Sequence, residues 1–158
     1  LMTYRIQGLE PGQFARFFAS DEAELTHRVI AGEEGRYPCR VSLRDADPGD
    51  ELVLTHFTNH AVDTPYRNAY AIYVRKDAGE AADYIDEMPP ILRGRPIALR
   101  GYDAGGCLHT ASLALQDDVD RVVRTLLTDD RVAYVDAHNA MHGCFAARIE
   151  RYDGADHD

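Results

Sequence analysis

Near the C-terminal end of the chain, His138-Asn139-Ala140-Met141-His142-Gly143-Cys144 places two imidazoles, an amide and a thiol within seven residues. Three chemistries use such groups. His138, His142 and Cys144, with His56, His60 or Cys39 as a further donor, are zinc-ligand types, but their spacing matches no established zinc pattern, so no metal or other cofactor is expected. Alternatively Cys144 is a nucleophile and His138 its acid or base, oriented by Asp136 or Asn139, because a thiol reacts as the thiolate and needs a neighbouring base or cation. The plainest account is a buried cysteine acting as a small hydrophobe beside a polar turn, in which Asn139 and Gly143 supply the backbone freedom.

A second set is cationic. Arg40 follows Pro38-Cys39, Arg67 follows Thr64-Pro65-Tyr66, and Arg148 lies in the last apolar segment. The planar guanidinium fork suits carboxylate or phosphate, so these loops would hold a small anion, with Tyr66 as an orienting hydroxyl and Asn139 as a further contact. The competing account is that Asp45, Asp63 and Asp136 pair with these arginines. His56 and His60 are read as exposed or structurally bonded histidines.

These residues must be positioned by elements legible in the hydrophobic pattern. Tyr4 to Ile6 reads as a short strand, and Pro11 suits the first turn of a helix carrying Phe14, Phe17 and Phe18. Ser20, followed by Asp21, Glu22 and Glu24, has the form of a second helix start. Asp47-Pro48-Gly49-Asp50 is a turn leading into a strand from Glu51 to Phe57, and a loop through TPYR separates it from another strand, Ala69 to Arg75. Ala81 to Gly94 begins with helical spacing (Tyr84, Ile85, Met88) and is broken by Pro89-Pro90. Ile97 to Tyr102 and Cys107 to Leu115 flank Asp103-Ala104-Gly105-Gly106 as a hairpin. Val119, Val122, Val123, Leu126 and Leu127 define an amphipathic helix from about Asp118 to Leu127.

The last two strands, RVAYVDAH and CFAARIERY, close a terminal hairpin around the opening motif. Pairing His138 with Cys144 gathers Ala133, Val135, Ala137, Phe145, Ala147 and Ile149 on one face. It leaves Tyr134, Asp136, His138, Cys144 and Arg148 on the other, with the imidazole beside the thiol. Hairpins interspersed with helices predict an α+β fold: a mostly antiparallel sheet, several short helices and the amphipathic helix near 118–127.

Composition narrows the function classes. With 158 residues, 45% of them hydrophobic, the chain suits one domain, expected over 2–152 with a disordered tail at 153–158. Its formal charge of -10 repels phosphate backbones and anionic lipid, so neither nucleic acid nor a membrane surface is an expected partner. The opening LMTYRIQGLEPG lacks a basic stretch followed by an apolar run, and no long apolar segment occurs, so no leader or membrane span is expected. Three widely spaced cysteines suggest reduced thiols and a cytoplasmic location.

Several stretches resemble a bacterial family of uncharacterised proteins, the domain of unknown function 1203. They are Gly35 to Leu43 (GRYPCRVSL), Asp45-Ala46 with Pro48-Gly49, Thr64 to Arg67, Ile72 to Arg75, Arg131 to Tyr134, His138 to Ala140, Gly143-Cys144 and Ala146 to Ile149. The resemblance runs from Tyr4 to about Arg151 and implies no particular activity. The reading that combines these features is a protein that binds a small anionic molecule between the PCR loop, the TPYR loop and the terminal hairpin. An enzyme using His138 and Cys144, or a protein-interaction domain without catalysis, are the alternatives; oligomeric state is left open.

Overall fold

The computed structural model describes residues 2–21 and 23–154. Nine strands and two α-helices follow one another as β1 (Tyr4–Gln7), α1 (Ala15–Ala19), β2 (Thr26–Ile30), β3 (Glu51–His60), β4 (Asn68–Arg75), β5 (Asp83–Ile85), β6 (Ile97–Tyr102), β7 (Leu108–Ala114), α2 (Val119–Leu127), β8 (Tyr134–Asn139) and β9 (Phe145–Arg151). Six strands form one sheet in the order β5-β1-β9-β8-β6-β7, and three form another, β2-β3-β4. Every strand pairing in both sheets is antiparallel, which is the α+β architecture expected from the run of hairpins.

The main core lies between the six-stranded sheet and α2. Val119, Val122, Val123, Leu126 and Leu127 fall on one face at helical spacing and meet Ile97 and Leu99 of β6, Val135 and Ala137 of β8 and Ile149 of β9. Tyr4 joins strand to helix, its hydroxyl donating to Asp120 at 2.6 Å while Arg124 stacks over its ring. A second cluster beneath the small sheet contains Phe14, Cys39, Val41, Val53, Ile72 and Val74. The irregular chain from Pro38 to Asp45 ties the two together, because Cys39 and Val41 belong to the second cluster whereas Leu43 enters the first.

Two helices expected from the sequence are absent. After Ser20 and Asp21 the chain turns through Leu25 at φ 52° into β2, whose five residues all pair with β3; Glu22 lies outside the described residues. The cap-like residues are outweighed by this pairing of a β-branched segment, Thr26 to Ile30. Likewise Tyr84 and Ile85 lie in β5, paired with Ile6 and Arg5 of β1. Here Tyr84 and Met88 reach the core from a strand and its continuation, and Pro90–Leu92 forms only a short 3-10 turn that buries Ile91 and Leu92. At the end of the expected domain Tyr152 is anchored by its N–H to Thr3 O at 2.9 Å, and of the expected tail residues 155–158 lie outside the described residues.

Close backbone approach makes Gly8 a specific requirement of this arrangement. A Cβ there would lie 1.9 Å from the carbonyl oxygen of Val41, whereas one at Gly12 would meet nothing within 4 Å. Gly8→Ala should therefore destabilise the protein by about 3 kcal/mol or more, while Gly12→Ala should stay within about 0.5 kcal/mol of wild type, as read by urea unfolding. Equal effects would show that the β1 end and the 38–45 chain do not pack this closely in solution.

Candidate functional site

The terminal hairpin differs from its expected register in an informative way. Val135 faces Ile149, Asp136 faces Arg148 and Ala137 faces Ala147, after which a bulge brings His138 opposite Phe145. The strand body is thus slipped by two residues from the expected pairing. Since strand faces repeat every two residues, Val135, Ala137, Ala147 and Ile149 of the expected apolar set still enter the core, whereas Ala133 is only half-buried and its neighbour Val132 takes the core position. The bulge then buries Ala146 together with Ala147 in the core and turns Phe145 toward His138, the two rings meeting edge to face at 5.9 Å.

His138 and Cys144 consequently have different surroundings. Nδ1 of His138 bonds the carbonyl of Gly143 at 2.9 Å, while its Nε2 is buried without a hydrogen-bond partner. Burial pushes its pKa down to about 4, with Arg100 and Arg40 contributing in the same direction, so the ring is neutral at pH 7. It supplies no imidazolium to Cys144. The thiol instead receives the Nη2–H of Arg40 at 3.0 Å and the Nδ2–H of Asn139 at 3.3 Å. Asn139, expected to ease the turn, to orient the pair or to contact a ligand, aims its amide at the sulfur; Gly143, at φ 81°, does use the freedom expected of it.

Arg40 organises the site. It is 1% exposed, and its backbone is fixed on both sides, N–H to Tyr73 O at 3.1 Å and C=O from Leu9 N–H at 2.9 Å. Its Nε donates to Phe145 O at 2.7 Å and its Nη1 to Pro38 O at 2.5 Å. Among the described residues no carboxylate lies within ion-pair distance of this guanidinium. Burial works against its charge, and the neighbours that favour the charge are the thiols of Cys144 and Cys39. Asp45, a carboxylate near it in sequence, is taken by Arg95 at 2.5 Å.

Around Arg40, Asn139 and Cys144 opens a cleft of about 620 Å³. Arg36 and Arg95 add positive charge, Tyr70 and Tyr73 of β4 form an aromatic wall, and Ala140, Met141 and His142 of the hairpin loop form the opposite side. No aspartate or glutamate lines it, although the chain as a whole carries a charge of -10. A depression of similar volume on β1 and β9 contains Arg5, Arg148 and Arg151, but Glu150 and Asp153 share its lining. Its arginines are also engaged: Arg5 with Asp83, Arg148 with Asp136, and Arg151 with the carbonyls of Leu127, Asp129 and Val132.

The remaining residues proposed for a shared site lie elsewhere. Tyr66 and Arg67 are exposed on their loop and do not line the cleft; Arg67 Nε bonds Val62 O at 2.9 Å, and Tyr66 O bonds His60 Nδ1 at 2.8 Å. His60 is fully enclosed between Tyr102 and Tyr134, and its Nε2 meets the Tyr134 hydroxyl at 2.6 Å. Arg148 binds both oxygens of the buried Asp136, at 2.8 and 3.1 Å, and the carbonyl of Asn59 at 3.3 Å. The face expected to be polar and open is therefore covered by the end of β3. Among the described residues no three His, Cys, Asp or Glu side chains converge as metal ligands, so the set of His138, His142 and Cys144 is not assembled. The structure adds four residues that the sequence reading did not select: Arg36, Tyr70, Tyr73 and Arg95. Arg36 and Tyr73 lay within the motifs already noted, but nothing in their spacing distinguished them from surface residues.

An α+β protein with a cationic, thiol-bearing cleft between its two sheets is the class that fold and site define. Within that class the chain belongs to the family described as "Protein of unknown function (DUF1203)", whose pattern matches residues 36–151 and so includes the whole cleft. No curated protein and no solved structure matches it significantly. No helix among the described residues is long and apolar enough to cross a membrane.

The buried neutral histidine has a measurable consequence. Its pKa of about 4 lies below the ordinary 6.5, so the unfolded chain takes up a proton that the folded chain excludes. The stabilising contribution is complete above pH 6.5, declines by about 1.4 kcal/mol per pH unit as pH falls toward 4, and levels off below that. Urea unfolding across this range should show the slope, and His138→Gln should flatten it; an unchanged slope in the variant would assign the acid sensitivity to other groups.

Proposed function

We propose that this protein binds a small anionic molecule with a flat or apolar portion in the cleft between the PCR segment, β4 and the terminal hairpin loop. The observation that carries the reading is Arg40, a guanidinium 1% exposed, lining the cleft and without a carboxylate counter-ion among the described residues. A buried charge without a counter-charge is costly, so a site that buries one gains from an anion brought to it. Arg36 at the exposed edge extends this positive region outward, and Tyr70 and Tyr73 offer apolar rings with polar tips to the rest of the molecule. Arg40 and Arg36 in a lining without a carboxylate, on a chain of charge -10, form a local field that draws anions inward against the overall repulsion, Arg95 being already paired with Asp45. This narrows the binding surface to one of the two loops expected from the sequence, since Tyr66 and Arg67 stand apart from it.

A thermal-shift screen with small carboxylates and phosphates tests the reading. A ligand present at about one hundred times its dissociation constant should stabilise the protein by about 2.7 kcal/mol. Arg36→Ala should weaken binding at least about tenfold, or about 1.4 kcal/mol, without altering the unliganded protein, because Arg36 is exposed and has no ion-pair partner among the described residues. Absence of any shift across the screen, or identical shifts in the variant, would remove the cleft as an anion site.

A further inference from the structure

We propose that Cys144 is the reacting group of this cleft, a thiol that attacks an electrophilic carbon in a small molecule bearing a negative charge. The inference rests on the anion-binding reading above and adds chemistry to it. Cys144 is partly exposed within the cleft, not sealed in the core as Cys39 is, and its sulfur accepts two N–H donors, from Arg40 at 3.0 Å and Asn139 at 3.3 Å. Donors fixed in this way hold the sulfur in one orientation at the wall of the cleft.

The arrangement of Arg40 supports the same conclusion independently. Two of its three bonded nitrogens serve backbone carbonyls, Phe145 O and Pro38 O, which hold the guanidinium rigid. The third faces Cys144, so the groups placed to balance its buried charge are this thiol, that of Cys39 on the core side, and whatever anion enters the cleft. His138 takes no part as a base, its Nδ1 being tied to Gly143 and its Nε2 buried. In the reaction the thiol proton goes to solvent, the sulfur lone pair forms an S–C bond, and the leaving group departs with the electron pair of the bond that breaks. Arg36, on the same lining, holds the substrate's charge while its electrophilic carbon faces Cys144.

Iodoacetate and iodoacetamide are matched probes of this step, each losing iodide to a thiol, one anionic and one neutral. Alkylation of the intact protein at neutral pH, followed by peptide mass spectrometry, gives the rates at Cys144 and, as an internal control, at the comparably accessible Cys107. Cys144 should react with iodoacetamide at least about tenfold faster than Cys107, and its iodoacetate-to-iodoacetamide rate ratio should exceed that of Cys107 by a similar factor. Arg36→Ala should reduce the ratio. Because loss of buried Arg40 risks unfolding, Asn139→Ala serves to remove a donor, and it should slow both reagents. Slow iodoacetamide reaction at Cys144 overturns the nucleophile and leaves anion binding standing. Fast reaction without preference for iodoacetate overturns the anionic substrate, and with it the binding reading.

Discussion

The burial of one guanidinium, that of Arg40, constrains this protein more than any single apolar contact. A charged group removed from water must find donors' complements in fixed places, and Arg40 finds them in three parts of the chain: its own loop at Pro38, the start of β9 at Phe145 and the hairpin loop at Cys144. Since its backbone is also held by Tyr73 of β4 and Leu9, the small sheet, the loop and the large sheet are locked in one relative position. The adjoining Cys39, Val41 and Leu43 divide between the two apolar clusters and make the same connection through packing. A stable and a chemically unusual feature thus share one short segment.

That economy has a cost visible in the charge distribution. Elsewhere charges are paired in the ordinary way: the fully buried Asp136 holds two nitrogens of Arg148, and the half-buried Arg95 holds Asp45. Arg40, the other buried charged side chain, has no carboxylate within ion-pair distance among the described residues, and it lines the cleft. Replacing a well-satisfied buried pair by apolar residues is often neutral for stability. Arg40 thus joins the two sheets through its hydrogen bonds and at the same time lines the cleft with a thiol as its neighbour.

Much of the framework is legible in the sequence because it depends on local periodicity. The helix at Val119–Leu127, the β6–β7 hairpin and the strands β3 and β4 follow from apolar spacing and turn residues within each segment. The two misplaced helices show where that logic ends, since β2 and β5 are strands by virtue of partners far away in the chain. Membership of the family was also readable, from motifs distributed over most of the chain. The site was only half readable: Arg40, Asn139 and Cys144 do meet, but Tyr66, Arg67 and Arg148 do not join them. Proximity among residues of separate loops depends on how the sheets are stacked, and no periodicity within a segment encodes it.

The hairpin register explains why His138 and Cys144 looked like partners. Apolar alternation identifies the face of a strand but is blind to a slip of two residues, and it gives no sign of a bulge. Asp136 and Arg148, pairing directly across the hairpin as a charged couple, settle the longer register that alternation leaves open. Once that pair is in place, the extra residue at Ala146 shifts the strand end by one, His138 turns to Phe145, and Asn139 comes opposite Cys144 through its N–H to the Cys144 carbonyl at 2.9 Å. The imidazole is withdrawn from the thiol, and an amide and a guanidinium take its place.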